Sequence, residues 1–438
     1  MRFVVLFLPA SALVLLGAHY ARGGELGVAV AHVLLAVFLF SKRAWVRPVA
    51  AGILVLGSVE WVNAFVDLVR FRLAADIPWS RATIIMGMVL ALNVLALFSL
   101  MCRGARDFYS RHRENIGWRA AMFFVVIIVL VFIRAKTAIP LLLADRFFPG
   151  WGGLETFALG LYAVWIGGKM LDPQQNRRAR PRIWAFFSIV FFSQLVLGLA
   201  GVERMLMTGD LHLPVPALIV AGPVFRGGGV FMLALFSATV FLVGPAWCSH
   251  LCYIGALDDF MSRRGGKAGQ NKKFERLGVW GRGATLVLVL GAAVILRQQD
   301  VSWLVAVWAA AVFGLIGIGI MFVFSRRAGL MVHCTTFCPM GLLAVVFGRL
   351  SLWRIRIDTN CSRCSACFSH CRYNALSEEA MVAGQPGMNC TLCGDCVAAC
   401  PGGHVAYSFP FLNSVNSRAL FLTLVISLHA VFLGVARM

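Results

Sequence analysis

The chain has 438 residues, of which 60% are hydrophobic and only 13% charged, where an ordinary soluble domain carries about 25% charged residues. A mean hydropathy of +0.82 leaves too little polar surface to solvate a soluble fold, so lipid is expected to be the main solvent. Lys and Arg total 40 against 19 acids, a net charge of +21. In such a protein that excess belongs to cytoplasmic loops, and no basic, aromatic-interleaved soluble segment exists to bind nucleic acid.

Apolar runs approaching the ~20 helical residues that cross a bilayer occur at about 3–19, 26–41, 48–69, 82–101, 119–143, 154–171, 183–203, 227–247, 283–297, 301–325 and 415–437. The sequence therefore predicts an all-α polytopic membrane protein of about eleven transmembrane helices. The first run is read as a retained span, because no small-residue cleavage site follows it. The connections at 42–48, 102–118, 172–182, 248–282 and 326–327 hold more than twice as many Lys and Arg as the opposite set. By the positive-inside rule this puts the N-terminus, the 248–282 loop and the 326–414 segment in the cytoplasm and the C-terminus outside. The outward loop Thr208–Pro216 fits either a cap on the bundle or a docking surface for an external partner.

Of thirteen cysteines, only Cys102 precedes residue 248, and the other twelve fall at repeated short spacings. That clustering is how metal or cluster ligation looks in a sequence. Cys361, Cys364, Cys367 and Cys371, then Cys390, Cys393, Cys396 and Cys400 followed by Pro401, form the bacterial ferredoxin run twice. In such runs the first three thiolates wrap one corner of a [4Fe–4S] cube and the fourth ligates the other cube. Cluster one is thus expected on Cys361, Cys364, Cys367 and Cys400, and cluster two on Cys390, Cys393, Cys396 and Cys371. Zinc, which prefers paired Cys-x2-Cys knuckles, fits this spacing poorly. Arg372 stands where the first run would carry its proline.

An internal repeat precedes these runs. Cys248-x3-Cys252-x2-Gly255 and Cys334-x3-Cys338-x2-Gly341, 86 residues apart, each follow an apolar span and suggest a pseudo-symmetric membrane core. On an undistorted helix an i, i+4 pair is poorly set for its own disulfide. The four thiols therefore fit an additional iron–sulfur centre, a copper or other metal site, or a bridge across the repeat, and His250 and His333 adjoin them. The implied organisation is N-terminal membrane helices over 1–226 and a membrane core over 227–350. A small ferredoxin-like α+β domain with two clusters follows over 351–412, then a C-terminal helix over 413–438.

These motifs resemble the NosR/NapH family of membrane polyferredoxins over about residues 227–412, in the shorter NapH-like form without a large extracytoplasmic flavin domain. The resemblance implies a bacterial cytoplasmic-membrane protein that passes electrons between the quinone pool, or a cytoplasmic donor, and an external redox partner, with quinol dehydrogenase activity or a subunit role. The alternative is a metal-handling or cofactor-assembly factor that uses the Cys-x3-Cys thiols.

Charges inside lipid are costly and mark either packing or function. Glu60 and Asp67 share one face of the third run, and Arg134 and Lys136 lie in the outer half of the fifth. They are read as an ion-pair network or as a quinone site in which the carboxylate exchanges protons and the cation holds the head group. His32, His429 and His19 lie in or beside spans, but a haem is not expected, since bis-histidine ligation needs matched depth on facing helices.

Overall fold

The computed structural model describes residues 4–109, 115–206, 213–266, 268–269 and 271–435. Helices coincide with all eleven apolar runs. Among the described residues eight of them are long and apolar enough to cross a membrane: Val46–Ala74, Ser80–Met101, Ile116–Lys136, Pro173–Leu199, Phe231–Leu251, Lys272–Gln298, Trp303–Ala328 and Ser414–Val435. Leu6–Arg22 and Leu26–Phe38 are apolar but shorter, and Gly152–Met170 carries Glu155 and Lys169 within its length. Residues 208–212 of the outward loop lie outside the described residues.

The chain divides into two compact units, Met1–Trp165 and Ile166–Met438, so the boundary falls well before the residue 226 expected from sequence. The reason is the helix Pro173–Leu199. It is longer than its apolar run because Asp172 caps it, accepting from the Gln174 amide, and Pro173 opens it, a favourable pairing of cap and first-turn proline. Its added N-terminal turns carry Arg180, which is buried against the cysteine-rich segment. Lys272–Gln298 likewise starts ahead of its apolar run, capped by Asn271, which accepts from Lys273 and Phe274. That extension carries the buried Arg282.

In the first unit an apolar core of Leu13, Leu35, Val49, Leu54, Phe123 and their neighbours joins the helices. Arg134 ties it together by pairing with Glu25 at 2.8 Å and Asp145 at 2.6 Å.

In the second unit the cysteine-rich segment is closed by two short antiparallel strands, β1 (Arg354–Ile357) and β2 (Val405–Ser408), with Arg354 opposite Ser408 and Ile357 opposite Val405. Their pairing brings the ends of the double run together. Trp353 and Tyr407 pack on Phe421 of the last helix at 5.3 and 4.6 Å, and the Trp353 indole donates to the Leu242 carbonyl. The segment is therefore packed into its unit rather than tethered to it.

Candidate metal centres

Each Cys-x3-Cys motif folds the same way, and not as the undistorted helix assumed from sequence. Trp247–Leu251 and His333–Phe337 are π-helical turns, closed by hydrogen bonds that the Cys252 amide donates to the Trp247 carbonyl and the Cys338 amide to the His333 carbonyl, both 2.9 Å. Such turns are rare and concentrate at functional sites. The second cysteine then takes an extended conformation at the N-cap position of the next helix, Tyr253–Arg264 or Pro339–Phe347, and Cys252 accepts there from the Gly255 amide. The motif's glycine has a matching reason in both copies. A Cβ on Gly255 would stand 2.8 Å from the Cys248 carbonyl oxygen, and one on Gly341 would stand 2.6 Å from that of Cys334.

The four thiols of the two copies come together. Cys334 lies within electrostatic reach of Cys248, Cys252 and Cys338, Cys248 reaches Cys252 and Cys338, and Cys252 reaches Cys338. All four are free thiols, so the structure contains no bridge across the repeat. Three are buried and Cys252 is partly so; burial pushes the Cys252 thiol up to about 12. Asp258, fully buried, accepts from the Cys334 amide at 3.0 Å. His250 shares its Nδ1 with the Ser249 hydroxyl at 2.9 Å, while neither ring nitrogen of His333 has a hydrogen-bond partner.

The eight downstream cysteines sort into two further quartets. Cys367 interacts with Cys361, Cys364 and Cys400. Cys396 interacts with Cys371, Cys390 and Cys393, and these four line one small pocket with Tyr373, Leu376 and Thr391. The last cysteine of each run thus stands with the first three of the other. Burial pushes the thiols of Cys371, Cys390 and Cys393 up to about 12, so as bare thiols they stay protonated at neutral pH, and a bound cation is what holds such groups as thiolates.

The backbone between them is shaped for an anion. Arg363 and Ser365 on either side of Cys364, and Leu392 and Gly394 on either side of Cys393, have φ between 52° and 77°. Alternation of this kind turns successive amides toward one point, forming the nests found at iron–sulfur sites. A Cβ on Gly394 would collide with the Tyr407 hydroxyl, which donates to the Leu392 carbonyl at 2.8 Å. Among the described residues no three His, Cys, Asp or Glu side chains stand in the tight convergence a single ion requires.

Several contacts that the sequence did not announce join the quartets to the membrane helices. Arg180 donates to Asp395 from Nε at 3.0 Å and Nη2 at 2.8 Å, and to the Ser249 carbonyl. Arg263 bonds both Asp395 and Asp259 at 2.6–3.1 Å. Although burial raises it, the Asp395 carboxyl is held down to about 2 by these two guanidinium groups. Arg372, in place of the expected proline, donates to the carbonyls of Ser262, Gly266 and Gly329. Tyr373, two residues after Cys371, donates to the Cys248 carbonyl at 2.9 Å and packs in one apolar cluster with Cys334 and Cys393.

The residues singled out for a quinone site are not brought into one constellation. Glu60 pairs with His19 at 3.1 Å, Arg134 with Glu25 and Asp145, and Asp67 and Lys136 are exposed. For Arg134 the geometry is that of an ion-pair network. His32 bonds its own helix at the Val28 carbonyl, and His429 the His250 carbonyl.

Residues 225–271 match a family model described as a 4Fe-4S binding domain, a segment whose cysteines are Cys248 and Cys252. Over 79 residues the chain is 29% identical to an uncharacterized protein of Methanocaldococcus jannaschii, an alignment covering 18% of this chain and 30% of that protein. The chain thus spans under a third of the length of this curated relative. No solved structure matches. The chain is mostly helical, its long apolar helices fit a multi-pass membrane protein, and the matched segment supports an iron–sulfur protein of ferredoxin type.

Proposed function

We propose that the protein conducts electrons between the aqueous face of its cysteine domain and the membrane through two [4Fe–4S] clusters. Cys361, Cys364, Cys367 and Cys400 hold the first in this reading, and Cys371, Cys390, Cys393 and Cys396 the second. The observation that carries it is the graded burial of the thiols. Cys364 is exposed and Cys361 and Cys400 partly so, the second quartet has no exposed member, and Tyr373 leads from it into the membrane helices. When bound, the clusters supply one-electron redox chemistry; the protein's part is to fix them through the nests and to shield the second from water.

The lipid-side partner is a quinone. An almost wholly apolar cavity of ≈ 180 Å³ lies between the helices Leu218–Arg226, Lys272–Gln298 and Trp303–Ile320, lined by Ala221, Ala293, Ala310 and Phe313 among others. Phe313 stacks on Phe337 at 4.6 Å, the residue before Cys338. A quinone ring seated there has the thiol site as its neighbour. The cytoplasmic placement of the cysteine domain, in a bacterial inner membrane, and an external redox protein as second partner complete the proposal.

Anaerobically purified protein should carry at least ~8 iron and ~8 sulfide per chain, and after reduction should show the spectra of two coupled clusters. Stoichiometric zinc in their place would reject this function.

A further inference from the structure

The two Cys-x3-Cys motifs are used by nothing in the two-cluster scheme, yet they fold alike in detail. Both form a π-turn, both release the second cysteine into extended backbone, and both use a glycine to pass beneath the first cysteine's carbonyl. The result is four unbridged thiols, of which Cys248, Cys252 and Cys338 pack in one apolar cluster and Cys334 lies within electrostatic reach of all three. Packing alone could use such cysteines as small apolar side chains. It does not explain the cation beside them.

Arg282 is 1% exposed. Its Nε donates to the Gly278 carbonyl at 2.9 Å and its Nη2 to Asn389 Oδ1 at 2.7 Å, both neutral acceptors. Among the described residues no carboxylate pairs with it, whereas buried Arg180 has two. The groups that act on Arg282 electrostatically are Cys248, Cys334 and Cys338. A buried guanidinium with no counter-ion is strongly disfavoured, and neutral thiols do not relieve it. Four thiolates around iron and sulfide do, because such a group is anionic and needs four cysteine ligands.

We propose that Cys248, Cys252, Cys334 and Cys338 jointly hold a third iron–sulfur cluster, with Arg282 as its buried counter-charge. Each motif supplies two ligands, which is why neither copy is sufficient alone. The site abuts the second quartet by two separate links, Tyr373 to the Cys248 carbonyl and Arg282 to Asn389, the neighbour of Cys390. A centre there lies between the cysteine domain and the Phe313–Phe337 stack. Its role as a relay rests on the electron-carrier reading; its existence does not.

The test is an iron and sulfide count on the full-length protein, purified anaerobically, beside the double variant Cys248→Ser/Cys334→Ser and the variant Arg282→Gln. The parent should hold clearly more than ~8 iron, near ~10 for a two-iron or ~12 for a four-iron centre. The double variant should fall to ~8 while keeping the coupled two-cluster spectrum. Arg282→Gln should lower the midpoint potential of the added centre alone, since removing a cation disfavours the reduced form; a merely structural arginine would leave it in place. A parent with only ~2–4 iron, all lost in the double variant, would sustain this site and defeat the two-cluster reading instead. A parent count near ~8 that the double variant leaves unchanged would overturn the proposal, as would copper or zinc bound stoichiometrically at these four thiols. The parent count decides the matter even if the double variant does not fold.

Discussion

The Arg180–Asp395 contact offers the sharpest perturbation. Asp395 Oδ2 accepts from Arg180 Nη2 at 2.8 Å and from Arg263 Nη2 at 2.7 Å, and the Arg180 and Asp395 side chains are 1% and 4% exposed. Asp395→Asn removes the charge and, with Oδ1 still accepting from Arg180 Nε, turns an amide NH2 toward two other donors. Asp259, at 3.3 Å, is then the carboxylate left to pair with Arg180. Breaking a buried pair by removing one partner costs about 3–5 kcal/mol, and a tenfold change corresponds to about 1.4 kcal/mol. Asp395 sits between Cys393 and Cys396, so opening of this contact exposes the second quartet. Iron release from detergent-solubilised protein to a ferrous chelator under argon should then be about two to four orders of magnitude faster in the variant. Arg180→Met/Asp395→Asn restores neutrality and leaves Arg263 with Asp259, so it should recover part of the loss. Release within twofold of the parent in Asp395→Asn would refute the claim that this network clamps the cysteine segment to the helices.

Other expectations follow from the same geometry. Gly341→Ala forces a Cβ to 2.6 Å from a backbone oxygen and should destabilise the protein by about 1–3 kcal/mol, read as a lower melting temperature in detergent; an unchanged melt would mean that the π-turn has slack. Gly394→Ala meets both positive φ and the Tyr407 hydroxyl and should lower iron content, with Gly403→Ala, which has open space, as the milder comparison. Ala310→Phe fills the apolar cavity and should slow quinol-linked reduction with iron content intact. Glu60→Gln and Asp67→Asn test the other quinone site, and a slowing there with no effect of Ala310→Phe would move the quinone to that face. Reporter fusions at residue 270 and at the C-terminus should lie on opposite sides, because three long apolar helices separate them; the same side for both would break the topology.

What the sequence revealed of the site is what short spacing can encode. A run such as Cys390-x2-Cys393-x2-Cys396 keeps its three cysteines together because seven residues of backbone cannot hold them far apart, and the structure stands Cys371 with that run and Cys400 with Cys361, Cys364 and Cys367. Apolar runs are equally local, and each has its helix. Partnerships between distant residues carry no such mark. Arg180 and Asp395 are 215 residues apart, and neither letter differs from its neighbours in an Arg-rich loop or a cysteine run. The π-turns escaped notice for another reason: Trp247–Leu251 has unexceptional helix formers, and only the distance from Cys252 to the Trp247 carbonyl reveals the extra residue in the turn.

Arg180 and Arg282 also show how one residue type answers two different demands. Both fall in segments that a hydropathy reading assigns to basic cytoplasmic loops, yet each sits on a helix extended beyond its apolar run by a cap, at Asp172 or Asn271, and each is buried beside cysteines. Arg180 spends its charge on Asp259 and Asp395, and the proposed third cluster would take that of Arg282. Subtracting both still leaves the predicted cytoplasmic connections with more than twice the Lys and Arg of the opposite set, so the expected orientation does not depend on them. The two demands are compatible because they act at the same depth. The positive-inside rule draws arginines to the cytoplasmic ends of helices, and in the proposed orientation those are the ends at which the proposed clusters would place buried negative charge.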